Sequence, residues 1–429
     1  MKRMTTILIA LIMSVSLAAC GSKPAVDTPV SSTVESSTDG TAGVDVVKLS
    51  LMDPQAYAIE RSDEVINNFC KTNNVEIDIQ HAANDYPELL AARINSGQIP
   101  DIFVGMVGPQ LNSLLEYALD MTDDPLTAKL RDDALASTTF NGRVLAMPWI
   151  AECFAFMYNK TLFDQAGITD MPQTIDELED ICKVLQSKGI TPFACGYQSS
   201  WVLGQFCGNF VAHENIDPKN TVAKLNSGEL TFDNMKYLKN MFRVLDLTLD
   251  YGVDKTIEYD WERSEAAISN GDAAIIHMGN WCEATLKEFN PDIEVAFMPI
   301  PVTDDGSVKP KMMVGISDAY IINKDSPNTE VAKKLVDYYL TSDDGMDFMS
   351  QTLGAIPPTK IQPSNVDGML SNDASSYVAK GLSLPWVFQQ YPIGFDDQLW
   401  ILLQSYAAGD IDMESCINSL QNEWEMYKE

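Results

Sequence analysis

Four of the seven tryptophans stand where an amphipathic helix does not explain them. Trp149 follows Pro148, Trp201 follows Tyr197-Gln198-Ser199-Ser200, Trp281 follows Gly279-Asn280, and Trp386 follows Pro385. An indole in a loop beside glycine or proline either packs inward or offers a flat apolar face to a ligand. Combined with carboxylates, such faces suit a hydroxyl-rich ring: acids and amides bond the edge hydroxyls, and the indole covers the C–H face. The same pairing of acid and aromatic also suits a polyamine. Trp400 is different, because Leu399, Leu402, Leu403 and Tyr406 recur around it at helical spacing and core packing accounts for it.

Catalytic chemistry finds little footing. The chain has no GxSxG, HExxH, Walker or CxxC pattern, so serine hydrolysis, zinc chemistry and phosphate cradling lack a recognisable site, and no metal or cofactor is expected. His81, His213 and His277 are scattered and read as packing or surface residues. A carboxylate pair for glycoside hydrolysis could be drawn almost anywhere among 61 acidic residues, so finding one decides nothing.

Alternating strands and helices must position these groups. Val46 to Met52 reads as a strand, Ala58 to Thr72 as a helix, Val75 to Gln80 as a strand, Pro87 to Ser96 as a helix stopped by Gly97, and Pro100 to Val104 as a short buried strand. Thr174 and Glu177 form a capping box ahead of Leu178, Ile181, Cys182 and Leu185, and Gly189 ends that helix. Ala273 to His277 and Glu294 to Met298 are further strands. The alternation predicts an α/β fold with a largely parallel sheet covered by helices. In such a sheet ligands bind beyond the carboxyl ends of strands, which makes Asp53, at the end of the first strand, a candidate contact.

The N-terminus carries an export signal. Lys2 and Arg3 precede an apolar run from Ile7 to Leu17 that ends in Leu17-Ala18-Ala19-Cys20-Gly21, the pattern of a signal peptide over 1–19. The run falls short of the roughly 20 residues that span a bilayer. Leu-Ala-Ala-Cys resembles a bacterial lipobox, which implies that Cys20 is lipidated, palmitate included, and becomes the first mature residue. From there to residue 44 the chain is mostly Ser, Thr, Pro, Gly, Ala, Val and Asp without aromatics, and reads as a flexible tether. The expected location is the outer face of the cell membrane, or the periplasmic side in a two-membrane bacterium.

About 385 residues follow the tether, more than one hydrophobic core usually serves, so two lobes are expected. The net charge of -32 becomes -34 once Lys2 and Arg3 leave with the signal, which excludes nucleic acid as a partner and limits membrane contact to the lipid anchor. Seven cysteines remain, at 70, 153, 182, 195, 207, 282 and 416, an odd number without paired spacing. Buried thiols are expected, with one bridge, Cys195 to Cys207, left open.

Several segments in order resemble family 1 of the extracellular solute-binding proteins, the group of maltose-binding and glycerol-phosphate-binding proteins. They are Ser96-Gly97-Gln98-Ile99-Pro100-Asp101-Ile102-Phe103, Phe140 to Trp149 running on to Met157-Tyr158-Asn159-Lys160, Asn270-Gly271-Asp272-Ala273-Ala274 with Gly279-Asn280-Trp281, Asn323 to Asn328, and Gly354-Ala355-Ile356-Pro357. The resemblance implies a two-lobed periplasmic-binding-protein fold of type II, with three interlobe crossings and the ligand in the cleft. It places the crossings near 150–152, 315–318 and 341–345, giving one lobe from 45–150 plus 317–342 and the other from 151–316 plus 343–429.

By the same resemblance Glu152 and Asp318 lie at crossings, where a carboxylate would accept sugar hydroxyls, and Trp149, Trp201, Trp281 and Trp386 fall near cleft segments. Each acid could instead cap a helix or face solvent, and Asp101 reads as structural. The chain departs from the maltose-binding type at Gly105-Met106, where that type carries an aromatic wall, so ligand identity does not carry over. What the resemblance implies is a monomeric ABC-importer component, not an enzyme, that binds a mono- or oligosaccharide by lobe closure and passes it to a membrane permease. The alternatives are a binding protein for a polyamine or glycerol phosphodiester and, third, a surface glycan-active enzyme.

Overall fold

The computed structural model describes residues 31–33, 46–54, 58–82, 85–215, 217–361 and 369–428. The expected signal peptide, Cys20 and most of the expected tether lie outside them. Three tether residues do not: β1 (Ser31–Thr33) pairs antiparallel with the strand at the sheet edge. An edge strand offers a row of unpaired backbone groups, and even a sequence with no core to bury can dock there.

The first half is built as its sequence predicts. β2 (Val47–Asp53), β3 (Val75–His81) and β4 (Ile102–Met106) pair in parallel, with a helix over Ile59–Asn73 and another over Tyr86–Asn95 between them. In β3 the strict alternation sends Val75, Ile77 and Ile79 inward and leaves Glu76 and Asp78 outward, the period-two signature of a strand with one buried face. Asp101 is structural: its carboxylate accepts from the Ser50 amide at 2.7 Å and the Ser50 hydroxyl at 2.8 Å, and from the Ser326 hydroxyl, tying β2 to the loop before a later helix.

A small hairpin of β5 (Thr139–Phe140) and β6 (Arg143–Val144) turns through Asn141 and Gly142, both with positive φ, and leads into the long β7 (Met147–Asn159). β8 (Ile275–Gly279) and β9 (Val295–Met298) pair with the far end of β7. β10 (Met312–Ile322) runs antiparallel to β7 and continues alongside β4, and β11 (Ser383–Pro385) pairs with β10. Eight of these strands join β1 in one nine-stranded sheet. It is mixed rather than largely parallel as expected: β2–β3, β2–β4 and β10–β11 pair in parallel, while β7 runs antiparallel to β10, β8 and β9, and β10 antiparallel to β4. β7 and β10 are therefore the two ribbons through which the halves of the molecule connect.

The hydrophobic interior forms two clusters that follow the faces of the sheet rather than the halves of the chain. Cys153, Ala155 and Met157 of β7 join the cluster that also holds the β2–β4 core, while Phe154 and Phe156 between them join the other. The second cluster is built on helices Ile175–Ser187, Ser200–Ala212, Leu238–Asp250, Phe395–Ala407 and Met413–Tyr427. The capping box at Thr174 forms as predicted: its hydroxyl accepts from the Glu177 amide at 3.1 Å, and the Glu177 carboxylate accepts from the Thr174 amide at 3.2 Å. All seven described cysteines are buried free thiols, Cys195 and Cys207 among them. Among the described residues no helix is long and apolar enough to cross a membrane.

Candidate functional site

β7 is buried along nearly its whole length, as befits a strand covered on both faces. Only Glu152 and Tyr158 escape full burial. On β10 the residues that escape are Val314, Gly315, Ser317 and Asp318. Register brings these exceptions together, since Glu152 lies opposite Gly315, and Asp318 lies opposite Ile150 on one side and Met106 on the other. The ladder slips around Ser317, between Ile316 and Asp318. A bulge re-aims the side chains beside it, and here it sits between the two acids.

Both carboxyls are made harder to ionise. Burial, and then the charge of Asp318, push Glu152 up to about 8. Burial pushes Asp318 up to about 6, and the nearby Ser317 hydroxyl, which donates to the Ile150 carbonyl at 3.4 Å, works the other way on both acids. Two interacting acids titrate as a pair. Near neutral pH the pair retains about one proton, so it presents one hydroxyl donor beside several acceptor oxygens. That combination answers a hydroxyl group, which both donates and accepts.

Trp386 adjoins this pair. Its ring lies over Gly315, where a Cβ would come within 2.4 Å of the indole, and it stacks on Phe388 at 5.1 Å and 28°. Only 5 % of Trp386 is exposed, so packing takes most of its surface. Gln389 donates to the Ile316 carbonyl at 2.6 Å and fixes this segment on β10. Trp149 is also packed, 2 % exposed against Tyr320 at 4.7 Å, yet its ring forms part of the wall of a cavity of about 590 Å³ that Asp318 also lines.

Trp201 and Trp281 form a separate pair, 6.1 Å apart at 53°, both half-buried. Trp281 follows β8, and its ring lies over Gly279, which pairs with Phe154 two residues beyond Glu152. Asn280 anchors this corner: its side-chain oxygen accepts from the Cys153 amide at 2.8 Å, and its amide donates to the Gly354 carbonyl. Asp53 does end β2, beside the cavity-lining Pro54, but it is 2 % exposed and its carboxylate accepts from His81 Nδ1 at 2.7 Å. His81 reaches Asp63 through Nε2 at 3.1 Å; burial disfavours its charge, but the two aspartates outweigh that and raise its pKa.

Sequence reasoning missed Ser317, Met106 as a cavity wall, and the buried Glu265. The first has no pattern, since a bulge leaves none. For Trp386 and Trp281 a signal did exist in Gly315 and Gly279, because glycine inside a strand marks the close approach of another group. Among the described residues no group of three or more histidine, cysteine or acidic side chains could hold a metal ion.

Two halves joined through paired long strands, whose own acids Glu152 and Asp318 reach solvent at the junction, fit a two-lobed solute-binding protein. The profile of the bacterial extracellular solute-binding proteins matches residues 55–346, more than half of the chain, and the chain belongs to that family. It is a family of binding proteins rather than enzymes. Among relatives, the maltotriose-binding protein of Pyrococcus abyssi is 24% identical over 64% of this chain and 58% of its own length. The multiple sugar-binding protein of Streptococcus mutans is 24% identical over 60% of this chain and 62% of its own. The match thus spans about three-fifths of these relatives. In structure, apo RafE of Streptococcus pneumoniae superimposes with a TM-score of 0.76 at 19% identity, covering 91% of this chain and all of that one.

Proposed function

We propose that this protein is the carbohydrate-binding component of an ABC importer, held outside the cell by a lipid on Cys20 and delivering its sugar to a membrane permease as a monomer. The observation that carries the reading is that Glu152 and Asp318, on the paired strands β7 and β10, are among the few residues of those strands that reach solvent, with indole surfaces beside them. Glu152 and Asp318 bond hydroxyls, Trp281 and Trp201 cover a ring face, Trp149 and Trp386 shape the walls, and Asp53 acts through His81 and the adjoining wall. The names of the two sugar-binding relatives support the same ligand class.

The lobes in this reading are 45–150 plus 317–342 and 151–316 plus 343–429. A ligand touching both would hold them closed. The polyamine alternative keeps one specific point in its favour, that the charged group lining the cavity of about 590 Å³ is the acid Asp318.

Thermal unfolding of the mature chain against mono- and oligosaccharides, spermidine and glycerol phosphodiesters tests the reading. A ligand at 100 times its dissociation constant adds about 2.7 kcal/mol. A melting shift with one sugar class is expected, and a shift with spermidine alone would replace carbohydrate by polyamine. For the anchor, Cys20→Ala should release the protein from membranes into the medium; retention in the membrane fraction would refute lipidation.

A further inference from the structure

The cavity of about 590 Å³ next to Asp318 has a largely apolar wall, more than a bare sugar uses. Leu90, Ile94, Met106, Leu114, Trp149 and Ile150 form much of its wall, and Asp318 is the one charged side chain lining it among the described residues. Tyr86 brings a hydroxyl to the wall, but that group is already committed, donating to the Val104 carbonyl at 2.6 Å and accepting from the Val104 amide at 2.8 Å. Asn95, Gln110, Ser113 and Tyr117 also line it, so a ligand inside meets a few polar groups in an otherwise apolar wall.

The wall is apolar by construction. At Gly105 a Cβ would come within 2.5 Å of Leu111 and 3.3 Å of Leu114, so those leucines close onto the strand. The next residue, Met106, is 56 % exposed, an adaptable apolar side chain that folding leaves uncovered beside Asp318, its neighbour in the ladder. The volume lies within the range of about 300–1,000 Å³ typical of small-molecule pockets, which are largely apolar with a few polar groups that fix orientation.

We infer that the protein recognises a carbohydrate bearing an apolar aglycone, an aryl or alkyl group that fills this cavity while the sugar lies at the Glu152–Asp318 pair. The inference rests on the carbohydrate reading above and adds to it the part of the ligand that is not sugar. Met106 and Leu114 grip the aglycone, and Asp318 at the cavity edge bonds the sugar next to the linkage.

Titration calorimetry of the mature chain with methyl and phenyl glycosides of glucose, galactose and maltose tests it. For whichever sugar binds, the phenyl glycoside should bind at least tenfold tighter than the methyl glycoside. The double variant Met106→Gln/Leu114→Gln should shrink that ratio to below threefold. Equal affinities within twofold, or a ratio undiminished in the variant, would overturn the inference and leave sugar binding standing. Absence of heat with every glycoside and parent sugar would overturn the carbohydrate reading and this one with it.

Discussion

Burial displaces the titration of many side chains in this molecule, the half-buried Asp396 and Asp373 among them, and two pairs differ in position and access. Glu152 and Asp318 are half-buried at the junction of the halves. Glu265 and His277 are fully buried in the second half. Burial, then Glu262, push Glu265 up to about 8, and burial alone takes His277 down to about 3. Neither carboxyl oxygen of Glu265 and neither ring nitrogen of His277 has a hydrogen-bond partner among the described residues. Phe154, Phe156 and Phe206 surround the imidazole edge-on, at 5.6 to 6.1 Å. A displaced pKa alone therefore does not mark a site. Access at the junction of the halves does, and it separates the pair that can bond a solute from the pair that is stored in the core.

The comparison can be broken at its binding end first. Trp281→Ala should weaken sugar binding by well over tenfold, because a ring face is lost beside the junction; unchanged affinity in calorimetry would move the site elsewhere. Glu152→Gln should cost up to roughly tenfold, in line with about 0.5–1.5 kcal/mol for a hydrogen bond between neutral groups. Glu265→Gln, although its acid is displaced as far, should leave sugar affinity unaltered, and a comparable loss there would erase the distinction between the two groups.

Stability against pH sharpens it further. An acid whose pKa is raised on folding favours the folded state while protonated, and that advantage is lost as pH rises; for Glu265 the window runs from about 4.5 to about 8. A histidine whose pKa is lowered on folding costs stability as pH falls, for His277 from about 6.5 toward about 3. The melting temperature should peak between these limbs. Glu265→Gln should flatten the alkaline limb and His277→Phe the acid limb; identical pH profiles for the variants and the parent would contradict the assignment. The smallest effect is expected far from both groups, where Thr174→Ala removes a helix cap at a cost of about 1 kcal/mol in chemical unfolding.

The fold was legible where local chemistry decides it. The alternation in Val75–His81 and the Thr174–Glu177 box each specify their element without help from the rest of the chain. The junction was legible only through glycines and acids quoted as motif pieces. Which indoles remain free depends on partners distant along the chain, as when Trp386 covers Gly315 and Tyr320 covers Trp149. Asp53 reads as an open acid at a strand end, yet His81, 28 residues on, occupies it. Long-range partners of this kind leave no periodicity to read.

Small-angle scattering of the mature chain, with and without the sugar that raises its melting temperature, tests closure about β7 and β10 most directly. A smaller radius of gyration at saturation is the predicted result. An unchanged curve despite demonstrated binding would contradict a site that joins the two lobes.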